Sequence, residues 1–487
     1  MPSVAPFNAP LALLVLGALS LLFSLNARFP SGRFGVLSLV SFFAGWLTTE
    51  LALHHVALQA ALALGLMLFG ALGAPLGWLG LGLLAISFVI LTKLHGRAQL
   101  AAQVLDDALA GLESDEAEQG EAPGDLLVQS GALTSEGGLG VGVEPGDAIP
   151  SVEQASPAER RAQRAALAKE PLRFLDVLSP LPRRHPDVRV ERHLIGAVGR
   201  SKLHAHVYFH KDKNPGAPVL VFVHGGGWVT GFKQFQAIPM LHQLAAQGFV
   251  CVSLDYRLAP RATFPEPVID VKRGIAWAKE HAARFGGDAR FVALSGNSAG
   301  GHLASLAALT FDSPALQPGF EEADTRVDAC VVFYGVFDLL NQNRQWRHRW
   351  FERLMRYLVM KKSIAEARDQ YELMSPITHL RADAPPFFII HGDVDSLVPS
   401  GESHYFAEAL RAVSHQPVLY AAIPDAQHAF DVFRSIRGTY AVRAAERFLQ
   451  FFHERHLDQV RLYPAREAAT IRPPWQTYES STPTTAA

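Results

Sequence analysis

Between Leu11 and Leu91 the chain carries three charged side chains, Arg28, Arg33 and Glu50, in a stretch dominated by Leu, Ala, Gly, Val and Phe. Nothing else in the sequence limits the fold so sharply, because a helix that crosses a bilayer needs about 20 predominantly apolar residues and few other structures need so many in a row. Arg28–Arg33, Glu50–His55 and Gly73–Pro75 divide the stretch into four candidate spans, near 10–27, 34–53, 56–73 and 76–93, with three the alternative count. The third and fourth are rich in Gly and Ala, which lets helices approach closely in lipid. Glu50, His54 and His55 fit the end of a span better than a bilayer centre, where charge is costly. A cleaved signal peptide fits less well, since the first segment lacks a basic start and further apolar segments follow. Arg28 and Arg33 follow the first span, and Lys93 and Arg97 the last. With four spans these clusters fall on opposite sides, so the positive-inside rule gives a near tie. Arg160, Arg161 and Arg164 tilt it weakly toward both termini in the cytoplasm. The expectation is a multi-pass membrane protein.

Residues 1–95 therefore read as a transmembrane helical region, and 96–156 as an amphipathic helix followed by a Gly-rich, acidic linker. From about Val188 the pattern changes. "VLVFV", "FVCVSLDY", "RFVALS", "ACVVFYG", "FFIIHG" and "VLYAAIP" are near-continuous apolar runs, and helical segments such as "EPVIDVKRGIAWAKEHAARFG" separate them. Runs of that kind are strands buried on both faces, so the expected fold is α/β with a mostly parallel sheet. A catalytic domain over 157–455 with a cap insertion near 340–380, then a tail over 456–487, completes the expected organisation. The net charge of −2 gives no reason to expect nucleic acid. Cys251 and Cys330 both lie in strand-like runs and read as buried, inert thiols.

Gly296-Asn297-Ser298-Ala299-Gly300 is G-x-S-x-G where the "RFVAL" strand meets the helix of "HLASLAAL". A strained turn there lifts a nucleophile clear of the sheet, and small neighbours prevent clashes. A phosphate loop is disfavoured because no Gly-Lys-Ser/Thr follows. His224-Gly225-Gly226-Gly227-Trp228 follows "VLVFV". A tetrahedral oxyanion needs preorganised N–H donors. The amides of Gly225, Gly226 and Ala299 are the candidates, with His224 and Trp228 as loop supports. The serine needs a base and the base an orienting carboxylate, in the order Ser, Asp, His. "IIHGDVDSLVP" offers Asp393 and Asp395, and Asp395 is preferred; "IPDAQHAF" supplies His428. Asp338, Asp425 and Asp431 read as turn, loop or helix-start residues, and His302 as a packing residue.

Taken as ordered blocks, "VFVHGGGWVTG", "DYRLAPRATFPEPVID", "AWAKEHAARFGGD" and "LSGNSAGGHLASLAA" resemble the hormone-sensitive lipase-like branch of the α/β-hydrolases, the carboxylesterases with an HGGG motif. The resemblance covers about Val188 to Leu449. It implies an eight-stranded sheet, a Ser298, Asp395, His428 triad, and no metal or cofactor. It also puts Cys251 and Cys330 on strands four and six, which do not pair. "HGDVDSLVP" departs from the family's common acid motif and is more like carboxylesterases and kynurenine formamidases of the same fold. The implied function is a membrane-anchored serine carboxylesterase or lipase acting on a small-molecule or lipid ester. An arylformamidase-type amidase and a non-catalytic receptor on a hydrolase scaffold are the alternatives. Trp346, Trp350, Leu354 and Leu358 lie near helical spacing among many Arg and Lys, as in a cap helix or a basic helix lying on anionic lipid.

Overall fold

The apolar runs form the strands of one sheet in the computed structural model, which describes residues 7–30, 36–120, 179–213, 215–346 and 349–462, with isolated residues between 159 and 172. The expected linker beyond residue 120 and the tail beyond 462 lie outside the described residues. The strands are β1 (Val188–Val198), β2 (Ser201–His210), β3 (Ala217–Val223), β4 (Val250–Leu254), β5 (Gly287–Asn297), β6 (Ala329–Phe333), β7 (Phe387–Gly392) and β8 (Val418–Ile423). Their order in space is β1-β2-β4-β3-β5-β6-β7-β8. β2 pairs antiparallel with β1 and β4, and every other pairing is parallel. β3, β4, β5 and β6 sit inside the sheet, and side chains divide between its two faces with the period of two that a strand imposes. Val219, Val221 and Val223 face one hydrophobic cluster; Leu220 and Phe222 face the other. Cys251 and Cys330 are free and buried on β4 and β6, which are not neighbours.

Among the described residues, five helices precede the sheet: α1 (Ala9–Arg28), α2 (Val36–Glu50), α3 (Ala52–Leu68), α4 (Pro75–Ala98) and α5 (Leu100–Gly120). Seven follow within it: α6 (Ile238–Ala246), α7 (Glu266–His281), α8 (Ala299–Leu309), α9 (Arg349–Leu354), α10 (Arg368–Leu373), α11 (Ser400–Arg411) and α12 (Ile436–Leu462). Residues of α7, α8 and α11 fill the cluster on one face of the sheet, and residues of α5, α6 and α12 the cluster on the other.

Three expectations need correction. First, α5 does not stand between membrane and hydrolase. Ala101, Leu105, Leu109 and Leu112 are buried in the same cluster as Ala441, Ala445 and Phe448 of α12, and Arg447 pairs with Asp106. Their spacing makes one apolar stripe, and that stripe is used on the sheet layer. The boundary expected at residue 157 is therefore misplaced, and so is the tail expected from 456, because α12 runs to Leu462.

Second, four separate spans are not seen. Among the described residues, two helices are long and apolar enough to cross a bilayer alone, Ala9–Arg28 and the continuous Pro75–Leu112, while Ser38–Glu50 and Ala52–Leu68 meet at 89°. Contacts fix the directions. Gly17 packs on Gly80, where a Cβ would lie 2.3 Å from the Gly80 carbonyl, and further along Ser24 Oγ is 2.7 Å from Ser87 Oγ. The paired numbers rise together, so α1 and α4 are parallel. Ala52 clusters with Leu91 and Leu94, Ser87 meets Gln59, and Ala63 clusters with Leu84. Those numbers run oppositely, so α3 returns between them. α2 buries Ser38, Ser41, Thr48, Thr49 and Glu50; Ser41 Oγ donates to Asn26 Oδ1 at 2.6 Å, Thr48 Oγ1 to the Ala44 carbonyl at 2.7 Å, and Glu50 lies 3.8 Å from Arg437.

Third, the cap is short. Trp346 stacks on Phe351 at 3.9 Å, and Trp350 and Leu354 pack against the first cluster. α9 has six residues and passes into a π-turn, so the apolar residues expected of a lipid-lying helix are mostly turned inward, with Leu358 at 39% exposure.

Candidate active site

The carboxyl ends of β5, β7 and β8 lie along one edge of the parallel sheet, with β6 between β5 and β7, and each leads into a loop that presents one side chain, which is where open α/β sheets place their ligands. Ser298 sits between β5 and α8 at φ 56°, ψ −123°, a strained conformation for a residue with a Cβ. Glycines make the turn possible. A Cβ on Gly296 would lie 2.4 Å from the Gly300 carbonyl, and one on Gly300 would lie 2.1 Å from that of Val223. The Ser298 N–H donates to the Phe333 carbonyl at 2.9 Å, which ties the turn to β6.

Ser298 Oγ is 2.9 Å from His428 Nε2, and His428 Nδ1 is 2.6 Å from Asp395 Oδ2. With a carboxylate at Nδ1, that nitrogen carries the proton and donates it, leaving Nε2 to accept from the serine hydroxyl. Asp395 is fully buried and accepts two amides, Leu397 at 2.8 Å and Val398 at 2.9 Å, on its other oxygen. Burial alone would raise its carboxyl; the charge of His428 and hydrogen bonds from His391 and His428 overcome that and hold it well below the usual carboxylate range.

His391 escaped the sequence reading although it stands four residues before Asp395 in the quoted "HGDVD". It is buried, with Nε2 3.1 Å from both Asp395 Oδ2 and the Val398 carbonyl and Nδ1 2.6 Å from Ser403 Oγ. Two acceptors at Nε2 require the proton there, so Ser403 donates to Nδ1. Tyr334 was also missed. Its ring centroid is 4.4 Å from that of His428, and its hydroxyl donates to Asp431, which also receives Asn297 Nδ2.

The remaining candidates are placed elsewhere. Asp393 accepts the Asp425 amide at 2.7 Å and faces away from His428. Asp338 accepts the amides of Leu340, Gln342 and Asn343, as a turn cap does. His302 is buried, receives Trp228 Nε1–H at 3.2 Å and donates to the Met374 carbonyl at 2.7 Å; burial pushes it down to about 4. His224 stacks on Tyr256 at 4.4 Å beneath the glycine loop.

The glycine loop brings one further correction. The Gly225 N–H, an expected oxyanion donor, is taken by Gln236 Oε1 at 2.7 Å and Asn297 Oδ1 at 3.0 Å. Two side-chain acceptors turn it away from the serine. Gly226 (φ 127°) and Gly227 (φ 60°) then reverse the chain. Among the described residues no protein acceptor is found for the N–H groups of Gly226, Gly227 or Ala299. Gly225 is thus replaced as a free amide of this loop by Gly226 and Gly227.

The N-terminal helices reach this site. Phe42 of α2 meets the His428 ring edge-on at 6.0 Å; Trp46 donates to the Ala429 carbonyl at 2.9 Å and stacks on Phe433 at 4.8 Å. Arg28 and Arg97 both pair with the buried Asp425, and Arg437 donates to the Leu94 carbonyl.

Comparison with known proteins adds the chemistry. The family profile BD-FAE matches residues 206–410. The probable carboxylic ester hydrolase LipM of Mycobacterium tuberculosis is 49% identical over 233 residues, 48% of this chain and 54% of that protein. Esterase LipQ of the same organism is 40% identical, over 54% of this chain and 62% of its own length. Isoprenylcysteine alpha-carbonyl methylesterase ICME of Arabidopsis thaliana is 30% identical, over 44% and 52%. The chain thus spans between about half and three-fifths of the curated relatives it matches. The architecture fits the α/β-hydrolase fold. Among solved structures, the apo form of Thermogutta terrifontis esterase 2 is 25% identical with a TM-score of 0.43, covering 62% of this chain and all of that one.

Proposed function

We propose that the chain is a membrane-anchored serine hydrolase of carboxylic esters. The observation that carries the reading is the continuous hydrogen-bonded line from Ser298 Oγ through His428 to Asp395, beside unpartnered amides at Gly226, Gly227 and Ala299. Ser298 attacks the acyl carbonyl while His428 Nε2 takes its proton. The oxyanion is held by the three amides. His428 then gives its proton to the leaving alkoxide, and Asp395 stabilises the imidazolium. Water enters by the same proton route in reverse and releases the acid. The relatives matched over this half of the chain carry esterase names, which favours esters over the formamidase and receptor alternatives.

In this reading α1, α3 and α4 cross the bilayer, a count that their alternating directions support. A parallel α1 and α4 puts Arg28 on the same side as Lys93 and Arg97, while Phe7, Asn8 and residues 69–74 carry no charged side chain. The positive-inside rule then favours a hydrolase on the cytoplasmic side. Phe7, Phe69 and Trp78, exposed at the far end, suit the opposite interface. One experiment tests both parts. A charged, membrane-impermeant fluorophosphonate should label the protein in inverted membrane vesicles and spare it in right-side-out vesicles. Ser298→Ala should abolish labelling and lower ester turnover by roughly 10⁴-fold or more. Labelling of the alanine variant would overturn the nucleophile; labelling confined to right-side-out vesicles would overturn the orientation.

A further inference from the structure

We infer that α2 is a wall of the active site and that the substrate is an apolar lipid ester drawn from the bilayer past Phe42. The inference rests on the ester-hydrolase reading and names its substrate class. His428 is the group that must hand a proton to the leaving oxygen, so one arm of the substrate has to pass the imidazole edge. Phe42, only 6% exposed, occupies that edge, with its ring perpendicular to the His428 ring. Trp46 holds α2 there by its bond to the carbonyl of Ala429, the residue after His428, and by its stack on Phe433. Ser298 itself remains partly exposed, so the wall borders the nucleophile without sealing it.

Among the described residues, α2 leaves part of its surface open. Leu39, Val40 and Phe43 are 49%, 61% and 51% exposed, and Leu22 and Phe23 of α1 are exposed beside the same end of the bundle. Across the site, Phe232 and Phe235 follow the glycine loop, pack edge to face at 5.9 Å and are 55% and 65% exposed. Aromatic groups left this open to water would form an unfavourable patch, whereas at the acyl boundary of a bilayer they are at home. Helix α2 meets α3 at 89°, the geometry of a helix lying along the interface rather than through it. The ties of Arg28 and Arg97 to Asp425, and of Arg437 to the Leu94 carbonyl, hold this arrangement on the very loop that carries His428. These surfaces mark the side of the site, along α2, by which an apolar chain would leave lipid for Ser298.

Chain-length selectivity tests the inference in the full-length protein in lipid nanodiscs, with p-nitrophenyl esters from butyrate to palmitate. Each methylene held against an apolar wall is worth about fourfold. Phe42→Ala should lower the kcat/KM ratio of decanoate to butyrate by about fivefold or more. Val40→Ala, on the opposite side of α2, should leave that ratio at the wild-type value. Phe42→Trp should shift the optimum to shorter chains, which guards against misreading an unstable alanine variant. An unchanged ratio in Phe42→Ala, or a uniform loss on all chain lengths, would overturn the wall while leaving the esterase standing. If the wild-type protein neither turned over any of these esters nor took the fluorophosphonate, the esterase reading would fall, and this inference with it.

Discussion

Two regions meet at the loop that carries His428, and they reach it by different means. On the sheet side, Ser298 follows directly on β5, Asp395 lies three residues beyond β7 and His428 five beyond β8. Each is placed by local backbone chemistry: a glycine-lined turn, amides folded onto a carboxylate, a loop at a strand end. On the helix side, Arg28, Phe42, Trp46, Leu94 and Arg97 touch residues 425–437 from more than 300 positions away. Their placement depends on how α1, α3 and α4 pack together before α2 is laid across them. Local strain leaves a signature in a few adjacent letters. Docking of one apolar surface on another leaves almost none, because many Leu- and Phe-rich faces would satisfy the same composition.

The sharpest way to strain the sheet side of this comparison is at its two neighbouring carboxylates. Asp395→Asn removes the acceptor that fixes the His428 tautomer and should lower kcat by about 10⁴-fold. Asp393→Asn keeps an acceptor for the Asp425 amide and does not touch His428, so its kcat should stay within roughly tenfold of wild type. Steady-state kinetics on p-nitrophenyl butyrate with both purified variants decides it. If Asp393→Asn proved the more damaging, the docking of the helices through Asp425 would matter more to turnover than the acid beside the base.

How much could be read in advance follows the same division. The strands, their burial on two faces and the positions of Ser298, Asp395 and His428 are written in short patterns whose physical purpose is local. Gly225 was misjudged because the orientation of an amide depends on Gln236 and Asn297, side chains that no spacing rule brings to it. His391 was hidden by its own motif, since a histidine four residues before an acid reads as punctuation until the loop folds back on it. α5 carried a clear apolar stripe, but the stripe does not say whether lipid, sheet or solvent lies opposite. α2 was taken for a span because its apolar content is high; the polar face that seats it on protein shows only when its residues are sorted by helical angle.

The helix side can be broken directly. Removing residues 1–95 takes away α2 and Arg28, one of the two guanidiniums that face Asp425, so the shortened protein should melt lower and lose at least about tenfold in turnover even of short, soluble esters. Smaller cuts grade the effect. Arg97→Ala should cost about 1 kcal/mol, because that side chain is nearly half exposed and its pairing is solvent-screened. Arg28 and Arg97 replaced together strip a buried carboxylate of both partners and should cost about 3 kcal/mol, more than the sum of the single changes. Denaturant titration of the detergent-solubilised protein measures each. A truncated protein with wild-type melting and turnover would make the bundle a passive anchor and remove the contrast drawn above.

A further effect lies wholly on the sheet side and depends on pH. Glu402, in the first turn of α11, is buried and accepts the amides of Phe337 and Asp338, both at 3.2 Å. Burial, reinforced by the nearby negative charge of Asp338, pushes its carboxyl up from 4.5 to about 8. The folded protein therefore holds a proton that the unfolded chain releases between those two values. A raised folded-state pKa gives stability that is complete below pH 4.5 and is lost as pH climbs through about 8. Glu402→Gln keeps an oxygen for the two amides and has no charge to bury. Its melting temperature relative to wild type should rise steadily across that window, with the gap smallest in acid and largest above pH 8. Paired melts at half-unit pH intervals would show it. A gap that stayed constant with pH would mean that Glu402 is already ionised in the folded protein, and that the loop over β6 is open enough to hydrate it.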